Sequence, residues 1–185
     1  MRKFILLSVM AFSLGSLTAC DGRHSTSEVK TEIESNGVTT VKTKTDENGV
    51  KTESGLELSH YAVRAALGQN PNTGGYVTVR NIGKDDDRLV SVTCDCAEKV
   101  ELHTMKMDGD KMMMAPMPEG FEIKAGQTLE LKPGSNHIMF IGLKTRPSDG
   151  DTLSLTLNFA KAGAVKIEAP VSNAPLSDAS QHSGH

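Results

Sequence analysis

Methionine and histidine are concentrated in one part of this chain. Beyond the first twenty residues there are seven methionines, six of which lie from Met105 to Met117, while the seventh is Met139. His103 precedes this group and His137 lies two residues before Met139. Methionines that serve a core fill irregular gaps anywhere in a fold, so their confinement to one segment favours a functional role. Because thioether sulfur selects Cu(I) and imidazole also suits copper, we predict a copper site. The alternative is a Met-rich surface that recognises a peptide or a partner protein.

If this segment is a β-hairpin, the spacing of its residues determines which side chains lie opposite each other. Asp108-Gly109 is typical of a two-residue hairpin loop. In that register His103 opposes Met114, and opposed side chains have Cβ atoms roughly 4.5–5.5 Å apart. Met105 then opposes Met112, and the two-residue period of a strand puts all four side chains on one face. This separation allows one metal ion to bridge imidazole nitrogen and thioether sulfur.

His137 and Met139 form a second pair of candidate ligands. In a strand these two side chains share one face, while Ile138 and Phe140 point to the other face and the core. Two ligands from each of two neighbouring strands would make a His2Met2 set. Neutral ligands leave the charge of a monovalent ion uncompensated, which favours Cu(I) over divalent metals. Thioethers also persist in an oxidising compartment, where thiols become disulfides.

The first twenty residues have the pattern of an export signal. Arg2 and Lys3 precede a mostly apolar run from 4 to 17, and small residues precede Cys20. The sequence Leu17-Thr-Ala-Cys20 resembles the bacterial lipoprotein signal, in which the cysteine is lipidated after cleavage. An ordinary secretory signal is the alternative. Both interpretations predict export, and the first predicts membrane attachment through lipid on Cys20.

The charge of the chain argues against one class of partner. Without Arg2 and Lys3 the chain has 18 basic and 23 acidic residues, a formal charge of −5 with histidine neutral. Such a chain is not expected to bind nucleic acid, or to hold anionic lipid through a polybasic segment.

Cys94 and Cys96 remain as an even pair once Cys20 is assigned to lipid. In an oxidising compartment the pair is expected to form a disulfide. A local staple is one interpretation of this C-x-C pair. A redox switch and a pair of additional copper thiolates are the two functional alternatives.

Composition and patterning divide the chain into four parts. The polar second part repeats with a period of twelve, because Val29-Lys-Thr and Asn36-Gly-Val recur as Val41-Lys-Thr and Asn48-Gly-Val. In the last part, His182 and His185 are candidates for a weak secondary Cu(II) site, although solvated tail histidines are commoner. The parts are a signal peptide (1–20), a flexible polar linker (21–55), a copper-binding β domain (56–171) and a disordered tail (172–185).

The third part consists of short runs that alternate apolar and polar residues, separated by turn sequences. Seven to nine such strands indicate an antiparallel β-sandwich or barrel. The stretch from Tyr61 to Leu67 fits a short helix or an opening strand. The turn sequences include Asn72-Thr-Gly-Gly75. The alternating runs are 76–80, 89–93, 100–103, 128–132, 137–141, 153–159 and 165–168.

Several motifs of this part occur together in a way that resembles a known family. They are Asp87-Arg-Leu-Val90, Val100-Glu-Leu-His103, His103-x-Met105, Met112-x-Met114, Glu130-Leu-Lys-Pro-Gly134, His137-x-Met139, Gly142-Leu-Lys144 and Gly150-Asp-Thr152. Together they resemble the PCuAC family of periplasmic copper chaperones over about 56–171, with the His…Met…His-x-Met spacing as the most specific part.

The resemblance implies a cupredoxin-like, Greek-key antiparallel β-sandwich that binds Cu(I) in the periplasm and performs no catalysis. Its implied role is to supply copper to the CuA or cbb3-type centres of respiratory oxidases, so the implied partners are an oxidase subunit or its assembly factors. By position, the implied ligands are His103, Met114, His137 and Met139. The candidates for additional ligation are Met105 and Met112.

Two other functions stay open. One is sequestration of copper for tolerance, which the surplus methionines would allow. The other, less favoured, is thiol–disulfide exchange at the C-x-C pair. A blue-copper electron carrier is disfavoured because it needs a His2Cys set with a weak axial methionine, and no cysteine lies at the end of the His137 run.

Overall fold

The computed structural model of the protein describes residues 43–46 and 49–173. The predicted signal peptide with Cys20, and the tail with His182 and His185, lie outside the described residues. Regular secondary structure in the described part is entirely β, and no helix there is long and apolar enough to cross a membrane. The strands are β1 (Thr43–Asp46), β2 (Gly49–Thr52), β3 (Leu56–Val63), β4 (Thr73–Asn81), β5 (Asp87–Thr93), β6 (Ala97–Asp108), β7 (Lys111–Pro116), β8 (Phe121–Ile123), β9 (Thr128–Leu131), β10 (His137–Leu143), β11 (Thr152–Phe159) and β12 (Gly163–Pro170).

These strands form two antiparallel sheets. The larger sheet has the order β1-β2-β3-β4-β10-β6-β7, with β9 also paired to β4, and the smaller has the order β12-β11-β5-β8. This arrangement confirms the predicted all-β antiparallel sandwich. Each of the seven alternating runs coincides with a strand, and the stretch that begins at Tyr61 continues β3 instead of forming a helix.

The core lies between the inner faces of the two sheets. Val79 of β4 and Leu157 of β11 have no exposed area, as expected where alternate residues of facing sheets interdigitate. Ile138 and Phe140 of β10 are also fully buried, and each such side chain contributes about 1.5–3 kcal/mol. Their burial anchors β10 and leaves the alternate positions, His137 and Met139, on the opposite face.

The predicted turn at Asn72-Thr-Gly-Gly75 is wrong, because β4 begins at Thr73. Gly74 and Gly75 are strand residues that pair with Met139 and Ile138 of β10. A Cβ atom on Gly75 would lie 2.7 Å from the ring of Phe140. Glycine inside a strand often marks such a close approach. The two glycines therefore leave room for the ring of Phe140, in the strand that carries His137, and they do not form a turn.

Asp87, at the start of β5, links that strand to the turn between β11 and β12 of the smaller sheet. Its carboxylate is buried and accepts hydrogen bonds from the backbone N–H groups of Arg88 (2.7 Å), Lys161 (2.9 Å) and Ala162 (2.9 Å). The last two donors lie in the turn between β11 and β12. Asp87 therefore supplies the acceptor for two N–H groups of this turn, as buried N–H groups need partners.

The sheet begins before residue 56, the predicted start of the β domain. β2 pairs with β3 through Val50↔Leu58, and Val50 is only 3% exposed. Gly49 is required by close approach as well as by its positive φ of 135°, because a Cβ atom there would lie 2.0 Å from the carbonyl oxygen of Leu58. Gly49 and Val50 of the twelve-residue repeat therefore lie in β2, and pairing of β2 with β3 gives this strand the partner that an isolated hairpin lacks.

Candidate metal centre

The β6–β7 hairpin has a register that differs from the predicted one by two residues. Its two-residue loop is Gly109-Asp110, closed by Asp108↔Lys111. Gly109 has a φ of 60°, whereas Asp110 is not in the left-handed region. This combination is a type II′ turn, which places glycine first, and not the type I′ turn predicted with Asp108-Gly109 as its centre.

The shift changes the opposed pairs but not the face. Met105 opposes Met114, and His103 opposes Pro116, so the predicted pairs His103–Met114 and Met105–Met112 are wrong. A shift of two residues preserves the alternation of a strand, whereas a shift of one would reverse it. His103, Met105, Met112 and Met114 therefore share one face, as predicted.

The two histidines are brought together by the pairing of β10 with β6. His137 lies directly opposite His103 in this ladder. The ring centroids are 5.7 Å apart with an interplanar angle of 67°. The side chain of His103 is 12% exposed, and His137 is 8% exposed as a residue. Two imidazoles with so little solvent contact lie edge to face at one point of the sheet.

Met114 joins this pair from β7, a strand that is not paired with β10. Its Sδ lies 3.1 Å from Nε2 of His137, although β6 separates β7 from β10 in the sheet. The thioether side chain is long and unbranched, which lets it reach past the intervening strand. The candidate ligands thus come from three strands, and the prediction of two neighbouring strands is wrong on this point.

Hydrogen bonds decide which ring nitrogens are free. Nε2 of His103 lies 2.8 Å from Oε2 of Glu101, and a carboxylate can only accept, so this nitrogen carries the proton. Nδ1 of His137 lies 2.9 Å from the backbone oxygen of Ser135, which accepts more strongly than the Met114 thioether that faces Nε2, so in the neutral ring Nδ1 carries the proton. The lone pairs are left on Nδ1 of His103 and Nε2 of His137. Such a bond to the second nitrogen is what orients metal-binding histidines.

Nδ1 of His103 is buried and has no hydrogen-bond partner among residues 43–46 and 49–173. Leaving a buried polar atom unpaired costs about 1–3 kcal/mol, and such atoms in native proteins need an explanation. A metal ion that accepts this lone pair, beside Nε2 of His137 and Sδ of Met114, provides one. The donor set therefore fits copper as a bound cargo.

The chemistry of the surroundings restricts the choice of metal. No group of three or more His, Cys, Asp or Glu side chains placed to hold a metal ion occurs in residues 43–46 and 49–173. A site of the hard, carboxylate-rich kind is thus absent from this part of the chain. The neighbour that the structure places beside His137 is the thioether of Met114, and thioether sulfur is a soft ligand.

Glu101 is a candidate functional residue that the sequence reasoning did not identify. Hydrogen bonds from Lys99, and then from His103, lower the pKa of the Glu101 carboxyl below its ordinary value. The carboxylate therefore stays ionised at neutral pH and holds the His103 ring in one tautomer. Period-two alternation from His103 places Glu101 on the same face, so the signal was present in Val100-Glu-Leu-His103.

The remaining methionines differ in their surroundings. Met139 is half-buried and opposes Glu101 on the face of the histidines. Met105 is half-buried, whereas Met112 is exposed near the end of the hairpin. Met117 packs against the hydrophobic core, and its N–H donates to the backbone oxygen of Leu102 at 2.7 Å. The expectation that the cluster has no core role is therefore wrong for Met117.

Cys94 and Cys96 are joined by a disulfide in the connection from β5 to β6. They line a cavity of about 350 Å³ together with Leu153 and Lys166, among others. The disulfide precedes β6, whose first residue is Ala97, whereas His103 lies several residues further along that strand. The bonded sulfurs are not thiolates, so in this state the pair supplies no thiolate ligand to copper.

Replacing Glu101 with alanine is expected to lower Cu(I) affinity about tenfold, the lower end of the usual effect of removing such an outer partner. The matched control is Glu130→Ala, because Glu130 makes the same kind of ion pair, with Lys132, but touches no histidine. Chelator competition measures the affinities, and nitrogen NMR shifts of His103 report its tautomer. Unchanged affinity together with an unchanged tautomer in Glu101→Ala would contradict this role.

The fold and site define a class of protein: an antiparallel β-sandwich domain with a largely buried histidine pair and a methionine hairpin on the outer face of one sheet. The apo PCuAC domain from PmoF1 is 27% identical, with a TM-score of 0.54, over 64% of this chain and 93% of that one. The copper-bound PCuAC domain from PmoF2 has the same fold, with 23% identity, a TM-score of 0.54 and coverage of 64% and 92%. The resemblance to PCuAC domains and their sandwich fold is thereby confirmed.

The family model "Putative lipoprotein LpqE-like" matches residues 56–171, and the chain belongs to this LpqE-like family. "Putative lipoprotein Lxx21020" of Leifsonia xyli is 32% identical over 121 residues, which is 65% of this chain and 72% of the relative. An uncharacterized protein of Rickettsia prowazekii, RP573, is 28% identical over 92 residues, and the match covers 51% of it.

Proposed function

We propose that the protein is a Cu(I) carrier, a metallochaperone that binds one copper ion at the histidine pair and passes it on without catalysis. The observation that supports this most directly is the proximity of two imidazoles and one thioether: the rings of His103 and His137 have centroids 5.7 Å apart, and Sδ of Met114 lies 3.1 Å from Nε2 of His137. Met139 is the proposed fourth ligand, since it shares the face of His137.

The proposed ligands also suit release. All four are neutral when they bind, so they leave the charge of Cu(I) uncompensated, and an anionic thiolate acceptor competes favourably for the ion. Met114 is 51% exposed even though its sulfur reaches the buried His137. An acceptor can therefore approach from the methionine side and displace that ligand first, while the histidines still hold the ion.

The cellular setting belongs to the same proposal. Lipid on Cys20 would hold the protein at a membrane in the periplasm, in accord with relatives described as lipoproteins. Respiratory oxidase subunits or their assembly factors are the proposed acceptors. Sequestration of copper for tolerance is the second candidate, and it is favoured by the additional exposed methionines Met107, Met112 and Met113.

The metal preference gives the direct test. The full chain is expected to bind one Cu(I) tightly and to prefer it to Zn(II) at this site, because two ligands are thioethers. Chelator competition under ascorbate measures the Cu(I) affinity, and X-ray absorption should show mixed nitrogen and thioether-sulfur neighbours. Equal affinity for Zn(II), with only nitrogen and oxygen neighbours, would contradict the proposal.

A further inference from the structure

The end of the β6–β7 hairpin exposes large apolar side chains that the proposed ligand set does not use. Met107 is 65% exposed, Met112 57% and Met113 50%. Clustered exposure of large apolar residues usually marks an interaction site. These methionines do not belong to the hydrophobic core, whereas Met117 of the same cluster packs against it. The hairpin therefore carries thioethers whose role is neither packing nor the inner site.

The pairing of β6 with β7 determines where each of these methionines lies on the hairpin. Met107 lies directly opposite Met112, one pair outward from Met105↔Met114. Both pairs lie on the face of the histidines, whereas Met113 opposes Lys106 on the other face. Pairing alternates from the closing pair Asp108↔Lys111, so these methionine pairs fall at the positions without mutual hydrogen bonds, where side chains approach more closely.

We infer that Met107, Met112 and Met105 form a second Cu(I) position, outside the histidine site on the same face of the hairpin. The inference rests on the proposed function, because it extends the same ladder of ligands. Directly opposed Cβ atoms are about 4.5–5.5 Å apart, and the diagonal neighbour, about 7–8 Å away, is still within reach of long side chains. Met105 is diagonal to Met112, so three thioethers can converge on one soft ion.

The chemistry of this outer position differs from that of the inner one. Its ligands are thioethers alone, on exposed side chains, whereas the inner site adds two imidazoles held by Glu101 and Ser135. We therefore expect weaker binding outside than inside. Met114 is next in the ladder after the outer pair, so an ion can pass from the outer position to the histidines by exchanging one thioether at a time.

The test is Cu(I) stoichiometry and affinity of the full chain under ascorbate, with bicinchoninate as the competing chelator. The wild type is expected to bind two ions, the second at least tenfold more weakly. The double variant Met107→Leu and Met112→Leu should bind one, with the inner affinity within about twofold of wild type. Leucine conserves volume and apolar character, so only the sulfur is lost.

Met113→Leu is the matched control, because Met113 is similarly exposed on the same hairpin but on the opposite face. It should still bind two ions. A wild type that binds only one ion, or a Met113→Leu variant that loses the second ion equally, overturns the outer position and leaves the inner site standing. A wild type that binds no Cu(I) overturns the proposed function itself.

Discussion

Replacing both His103 and His137 with alanine is expected to weaken Cu(I) binding at the inner site by at least a hundredfold. The two rings lie 5.7 Å apart there, with Sδ of Met114 3.1 Å from Nε2 of His137, and each lost ligand should cost at least tenfold, about 1.4 kcal/mol. His137→Ala and Met139→Leu should each show the tenfold loss alone. Chelator competition measures the affinities, and X-ray absorption should show the loss of nitrogen neighbours.

Met117→Leu is the control for these ligand variants, because Met117 packs against the core and leucine conserves its volume. Its Cu(I) affinity should stay within about twofold of wild type. Equal and small losses in every histidine and methionine variant would point to a diffuse methionine-rich sink and would contradict a defined site.

Asp87→Ala is expected to destabilise the fold by about 3 kcal/mol, because three backbone N–H groups lose their buried acceptor. For a domain of this size the loss corresponds to a fall in Tm of roughly 10 °C. Thermal unfolding of the metal-free protein measures it. At a temperature where the variant is still folded, Cu(I) affinity should be unchanged, since Asp87 lies in the smaller sheet and the histidines lie in the larger.

The adjacent Asp86 offers the matched control. Its carboxylate accepts one exposed backbone hydrogen bond, from the N–H of Ala125 at 2.8 Å. Asp86→Ala should therefore cost no more than about 1 kcal/mol. Equal destabilisation by the two alanine variants would show that burial and the number of bonds do not set the role of Asp87.

Local pattern was sufficient for much of the fold. Strand alternation has a period of two, which each run carries by itself, so the runs around Val79, Leu157 and Phe140 predicted strands, and the last of them also the buried face. The same period placed Met105, Met112 and Met114 on the face of His103, and this survived the wrong turn type because the register shifted by an even number of residues. The motif Asp87-Arg-Leu-Val90 contributed to the resemblance without revealing that its carboxylate binds the β11–β12 turn.

The errors arose where a local signal has two outcomes. Asp108-Gly109 fits a type I′ loop with glycine second, and Gly109-Asp110 fits a type II′ loop with glycine first. The two differ by little in local energy, so packing of the rest of β6 and β7 selects one. Gly74-Gly75 likewise fits either a turn or a strand that leaves room for a large neighbouring side chain. The choice between the two depends on the position of Phe140, which the local sequence does not give.

The sequence by itself determined the kinds of candidate ligand, their shared face and the predicted preference for a soft metal ion, because these depend on residue type and local period. The tertiary structure alone decided that His137 lies opposite His103, that Met114 reaches past β6 to His137, and that Glu101 and Ser135 select the free ring nitrogens. These features depend on which strands pair and in which register. That choice is made by burial of both sheets against one core, a nonlocal free energy that no single segment carries.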